Sequence, residues 1–134
     1  MRTFIDTNIL LYAIDRADPV KQEAAIRLVE THAKNRTGII STQVLQEFHS
    51  AATRKLGIDA KVSRQHLRDF RVFDIVQITP ELIETGIGTS LLHQTSFWDG
   101  LILAAASAAN ANELLTEDLS HGQTIDGITV RNPF

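Results

Sequence analysis

Asp6, Glu47, Asp99 and Asp118 stand where a carboxylate asks for an explanation. Asp6 follows directly on the apolar run Thr3-Phe4-Ile5, and in open α/β sheets ligands collect beyond the carboxyl ends of strands. Asp118 comes after the strand-like Leu114-Leu115-Thr116, at a second such end. Glu47 falls between Val44 and Ala51 on a helical wheel, at the border of an apolar stripe where charged groups rarely stand without a partner. Asp99 lies in the first turn of a segment that is otherwise nearly all apolar. Each has a plain structural reading as well. Asp6 can be an N-cap, Asp118 an Asx turn, and Glu47 a side chain whose stem lies along apolar surface while its head reaches water. Ser96 and Asp99 have the spacing of a capping box, with Asp in place of the preferred Glu or Gln. Taken together, the four can share one rim of a parallel sheet. Crowded carboxylates must protonate or hold a cation, and a chain without cysteine has only oxygen and imidazole to offer. A hard ion, Mg²⁺ or Mn²⁺, and metal-assisted phosphoryl chemistry are the expectation.

The elements that must position these acids follow from periodicity. Thr3–Ile5 and Gly38–Ile40 read as buried strands, each followed by a helical pattern. Asp18 and Pro19 are an N-cap and first helical position, and Val20, Ala24, Leu28 and His32 then recur at helical spacing through Ala33. Ser41 or Thr42 caps the next helix, which carries Glu47 and stops at Gly57. A shorter helix over Ser63–Phe70, a strand over Val72–Ile78 and a helix from Pro80 to His93 come next. Phe97–Ala109, with Leu101, Ile102, Leu103 and five alanines, reads as the most buried helix. Glu113–Leu115 and Ile128–Val130 read as two last strands. Strands alternating with helices imply a mostly parallel sheet covered on both faces.

The 134 residues suffice for one domain with a core of its own, and no repeat or linker-like run divides 1–134. No stretch approaches the ~20 apolar residues of a membrane span, so the expectation is a soluble, cytoplasmic protein. The net charge of −3 does not advertise nucleic-acid binding. The segment from Arg54 to Arg71 is nonetheless locally basic, either a solvated helical face or a phosphate-contacting patch. The histidines form no His-Glu-x-x-His pattern, which counts against a zinc hydrolase, although His49 and His121 are candidates for RNA or proton contacts.

Four segments, in order, resemble the PIN-domain nucleases, in particular the VapC-like toxins of bacterial toxin-antitoxin pairs. They are Phe4-Ile5-Asp6-Thr7-Asn8-Ile9-Leu10, Ser41-Thr42-Gln43-Val44-Leu45-Gln46-Glu47-Phe48, Ser96-Phe97-Trp98-Asp99-Gly100-Leu101-Ile102 with the alanines after it, and Leu114-Leu115-Thr116-Glu117-Asp118-Leu119. The resemblance covers nearly the whole chain. It implies a three-layer α/β/α sandwich and a Mg²⁺- or Mn²⁺-dependent endoribonuclease whose acidic set is Asp6, Glu47, Asp99 and Asp118. Asn8 and Thr116 look like the family's supporting polar positions. Asp6 and Asp99 would be core metal ligands, with Glu47 and Asp118 binding a second ion or acting through an outer shell; Glu117 competes with Asp118 for its role. The partners implied are RNA, a small antitoxin protein and a second copy of the chain. Two other readings make different demands. A phosphatase of the haloacid dehalogenase type wants a second Asp where Asn8 stands, and a catalytically idle RNA- or protein-binding module has no need of all four acids.

Overall fold

The computed structural model describes all residues, Met1–Phe134. The chain begins with strand β1 (Thr3–Ile5), helix α1 (Thr7–Ile14) and helix α2 (Pro19–Asn35). Asp18 caps α2 by accepting from Lys21 N–H, and Pro19 opens it, as its fixed φ and missing N–H allow. Strand β2 (Gly38–Ser41) leads into α3 (Thr42–Arg54), where Ser41 Oγ accepts from Val44 N–H as N-cap. Helix α4 spans Ala60–Asp69, β3 Asp74–Val76, α5 Pro80–His93 and α6 Phe97–Ala108. Strands β4 (Glu113–Leu115), β5 (Thr124–Ile125) and β6 (Ile128–Arg131) close the chain.

The six strands form one sheet in the order β3-β2-β1-β4-β6-β5, parallel except for the β5–β6 pair. Successive strand side chains point to opposite faces. Phe4 and Ile5, Ile39 and Ile40, and Leu114 and Leu115 all have no exposed surface, so both faces of the central strands are covered, as an α/β/α sandwich requires. Strand β1 lies between β2 and β4, so the chain builds outward on one side of β1 and then returns to the other. The carboxyl ends of β1 and β4 therefore flank a topological switch point, where open sheets leave a crevice.

Three expectations shift. The helix read as Ser63–Phe70 begins earlier, because Asp59 caps it by accepting from Lys61 N–H. The strand read as Val72–Ile78 shrinks to Asp74–Val76: Phe70–Val72 is a 3₁₀ turn that uses Phe73 N–H, and Ile78 N–H is taken by Thr42 Oγ1. Strand β5 was not read at all. It pairs with β6 across Asp126-Gly127, whose φ values of 51° and 79° are those a tight two-residue hairpin turn needs, so the Asp-Gly pair was the signal.

Candidate active site

Asp6 ends β1 and caps α1, and only 5% of its surface is exposed. Its Oδ1 accepts from Thr7 N–H at 2.7 Å and its Oδ2 from the Thr116 hydroxyl at 2.8 Å. Thr116, buried just past β4, also accepts from Asp118 N–H at 3.0 Å and lies 3.4 Å from Asn8 Nδ2. Asn8 Nδ2 donates to Asp118 Oδ2 at 3.1 Å, which holds that exposed carboxylate over the carboxyl end of the sheet. The bend around Asp118 is thus made by the Thr116 hydroxyl rather than by an Asx turn of Asp118. Glu47, half-buried on α3, accepts from the Thr7 hydroxyl at 3.0 Å. Ser96 Oγ caps α6 by accepting from Asp99 N–H at 3.1 Å, but no bond returns from Ser96 N–H to the Asp99 carboxylate. The capping box is half formed, and its acid, with the Ser96 hydroxyl opposing the effect of burial on it, lines the cleft.

Asp6, Glu47, Asp99 and Asp118 all line one cleft of about 200 Å³, together with Thr7, Asn8, Gln43, Lys55 and Trp98. Larger cavities of about 500 and 600 Å³ lie elsewhere, and the richer of them in acids holds only Asp15, so chemistry rather than size selects this cleft. Burial, followed by the neighbouring charges of Asp118 and Glu47, pushes the Asp6 carboxyl up to about 7, against the opposing hydrogen bonds from Thr116 and Thr7. Burial also raises Glu47 and Asp99, and the Asp118 charge adds to both.

This donor set fits a hard divalent cation. Its oxygens are of the right type, and a cation would relieve the desolvation and mutual repulsion that hold three of the acids above their ordinary range. Two more acceptors lining the cleft, Gln43 Oε1 and Asn8 Oδ1, are buried without a donor. No three His, Asp or Glu side chains are gathered closely enough to grip one ion by themselves.

The family model of the PIN domain matches residues 3–124. The chain belongs to the PIN domain family. Solved structures similar to this PIN domain include a toxin-antitoxin complex from Klebsiella pneumoniae, at 22% identity and a TM-score of 0.70 over 98% of each chain. Another is VapBC2 from Rickettsia felis bound to a promoter DNA fragment, at 24% and 0.69, again over 98% of each chain. VapC20 of Mycobacterium tuberculosis, described as a Sarcin-Ricin loop cleaving toxin, aligns at 23% and 0.70 over 84% of this chain and 86% of its own. No curated protein matches the sequence.

Within this PIN domain Glu117 and Asp118 lie on different sides of the β4 end. Glu117 turns away from the acids, accepting from the Tyr12 hydroxyl at 2.7 Å and from Lys21 Nζ at 3.3 Å, while Asp118 faces the cleft. Neither histidine singled out reaches it. His49 Nδ1 pairs with Ser63 Oγ at 2.8 Å, and His121 Nδ1 accepts from Asn132 N–H at 3.0 Å. Of the basic stretch only Lys55 lines the cleft. Sequence reasoning passed over Thr7, Gln43, Lys55 and Trp98 as cleft residues. The signal for two of them was helical arithmetic, since Gln43, Glu47, Ala51 and Lys55 recur every four residues on one face of α3.

Proposed function

We propose that residues 1–134 act as a single domain, a Mg²⁺- or Mn²⁺-dependent endoribonuclease that is the toxin of a toxin-antitoxin pair. The observation that carries this reading is the meeting of Asp6, Glu47, Asp99 and Asp118 in one cleft at the switch point of a PIN fold. The likeness to toxin-antitoxin complexes, and to a toxin described as cleaving the Sarcin-Ricin loop, supports RNA as substrate and a small antitoxin as partner. A cytoplasmic setting goes with that role, and no helix is long and apolar enough to cross a membrane. A second copy is a further proposed partner, supported by Ile83, Ile87 and Leu91, an exposed apolar stripe at four-residue spacing on α5.

When bound, the ion supplies a water of lowered pKa and neutralises charge on the phosphoryl oxygens. Asp6 and Asp99 are the residues assigned to hold it, with Glu47 and Asp118 completing its surroundings or orienting water. Thr116 and Thr7 fix the Asp6 carboxylate, and Asn8 fixes that of Asp118, so the acids are aimed before substrate arrives. Water attacks the scissile phosphorus in line. A P–O bond forms to the water oxygen, which gives up a proton to solvent, while the P–O bond to the departing ribose oxygen breaks and that oxygen takes up a proton from solvent. No protein nucleophile is required. Asn8 stands where an aspartyl-phosphate enzyme needs its second acid, and its amide is spent on Asp118.

The deciding experiment gives the purified protein labelled RNA and Mn²⁺. Cleavage that stops with a chelator and with Asp6→Asn, while the circular dichroism spectrum is retained, is the expected result. RNA binding without cleavage under every ion tried would point instead to an idle binding module, and phosphate release from small monoesters to a phosphatase.

A further inference from the structure

One face of α3 runs the length of the acid cleft. Gln43, Glu47, Ala51 and Lys55 all line it, and at 1.5 Å per residue the stripe extends for about 18 Å from its first member to its last. The two ends differ in chemistry. At the Gln43 end, Gln43 Nε2 donates to the Trp98 carbonyl at 3.3 Å, tying α3 to the start of α6 and fixing the backbone that carries Trp98. Trp98, beside Asp99 in the cleft lining, is 59% exposed, and its ring meets Phe97 edge to face at 5.0 Å. At the far end Lys55 is the only cation lining the cleft, is exposed, and makes no ion pair. A second cavity of about 220 Å³ continues past Lys55 toward Tyr12 and Leu56, sharing Asn8, Leu11, Ala51 and Lys55 with the first.

An exposed indole and an unpaired ammonium on opposite ends of a groove of acids are hard to account for by folding. The indole leaves apolar surface in water, and the ammonium, in the same cleft as four carboxylates, is paired with none of them. Both are accounted for by a polyanion with flat bases. Single-stranded nucleic acid is held by stacking on aromatic rings and by cations along its backbone, and these are the two features present. The acids between them repel phosphate unless a cation is bound, so the cationic and aromatic ends must supply the grip.

We propose that the α3 face is a track for a single strand of RNA, with Trp98 stacking one base at one end of the cleft and Lys55 holding a phosphate at the other, so that the bond over the acids is the one cut. This assignment of substrate-positioning residues rests on the ribonuclease reading above. Trp98 offers a stacking platform to any base at its end, and Lys55 sets how strongly binding depends on salt.

Trp98 is the only tryptophan in the chain, so its fluorescence reports on this site alone. In the Asp6→Asn background with Mn²⁺, short unstructured RNA oligonucleotides should quench it on titration. Anisotropy of labelled RNA should show Trp98→Ala weakening binding by about 5- to 100-fold, with Trp98→Phe recovering part of the loss. Lys55→Ala should lower the slope of log affinity against log salt by about 0.7, and Lys55→Arg should restore it. In the cleaving protein both alanine variants should raise KM more than they lower kcat. Because both side chains are exposed, circular dichroism should be unchanged. If the wild type cuts RNA while both alanine variants bind and cut as it does, the track is refuted and the nuclease reading stands. If Trp98 fluorescence follows protein concentration rather than RNA, a second copy covers the ring and the track is again refuted. If no RNA is bound or cut by any form, both readings fall.

Discussion

Asp6 keeps its proton to about pH 7 because burial strips the water its anion needs, and the Thr116 and Thr7 donors only partly replace it. The unfolded chain loses that proton near its ordinary value of 3.8. Between those values the folded state binds more protons than the unfolded one, so the metal-free protein should lose stability as pH rises through the window, at up to about 1.4 kcal/mol per unit. Glu47 and Asp99, also raised, act in the same direction. Urea melts in chelator should show this decline in the wild type and a flatter profile in Asp6→Asn; Mn²⁺ should restore stability at the alkaline end. Equal slopes in the two proteins would contradict it. A second residue-scale test separates neighbours. Asp118→Asn should cut RNA cleavage at least 10-fold, whereas Glu117→Gln, which touches Tyr12 and Lys21 instead, should leave most of it. The identity of the acids was legible from residue type and strand ends, but which of two adjacent acids faces the cleft was not. That depends on the partners Tyr12 and Asn8, which are distant in sequence.

At the scale of elements, the placement of Asp99 depends on how closely α6 approaches α5. A Cβ on Gly100 would stand 2.6 Å from the Gly86 carbonyl oxygen and 2.8 Å from Ser90 Cβ, too close for either helix to remain where it is. Gly100→Ala should cost roughly 1–3 kcal/mol in a denaturant melt. It should also reduce cleavage beyond what the lost stability explains, because the first turn of α6 carries Asp99. Full activity in a folded Gly100→Ala protein would mean that the acid tolerates a displaced helix. The helices were the readable part of the fold: α5 lies where Pro80 and His93 bound it, and α2 opens on its Asp-Pro pair. The short strands were less so. Strand β3 loses its ends to a 3₁₀ turn and to the bond that Ile78 N–H donates to the Thr42 hydroxyl, contacts that no local pattern announces. Strand β5 is two residues long, below the length at which alternation can be seen, although its Asp-Gly turn was in plain view.

For the whole molecule, the apolar stripe on α5 bears on assembly. If it joins two copies, Leu91→Glu, a change at a side chain 75% exposed, should yield a monomer by light scattering while leaving the melting temperature of the fold nearly unaltered. A dimer that survives the change would place the contact elsewhere. The order in which the sheet is assembled has a different kind of consequence. Strand β1 has one partner, β2, soon after it in sequence, but its other partner, β4, comes more than a hundred residues later, and the Thr116 to Asp6 bond spans 110 positions. Contacts so distant cannot form until the intervening chain exists, and they form slowly when it does. During synthesis on the ribosome, the emerging polypeptide holds Asp6 and Glu47 long before it holds Asp99, Thr116 and Asp118. On the proposed ribonuclease reading, the acid set stays incomplete during translation and closes only once the last third of the chain has emerged and folded back on its beginning.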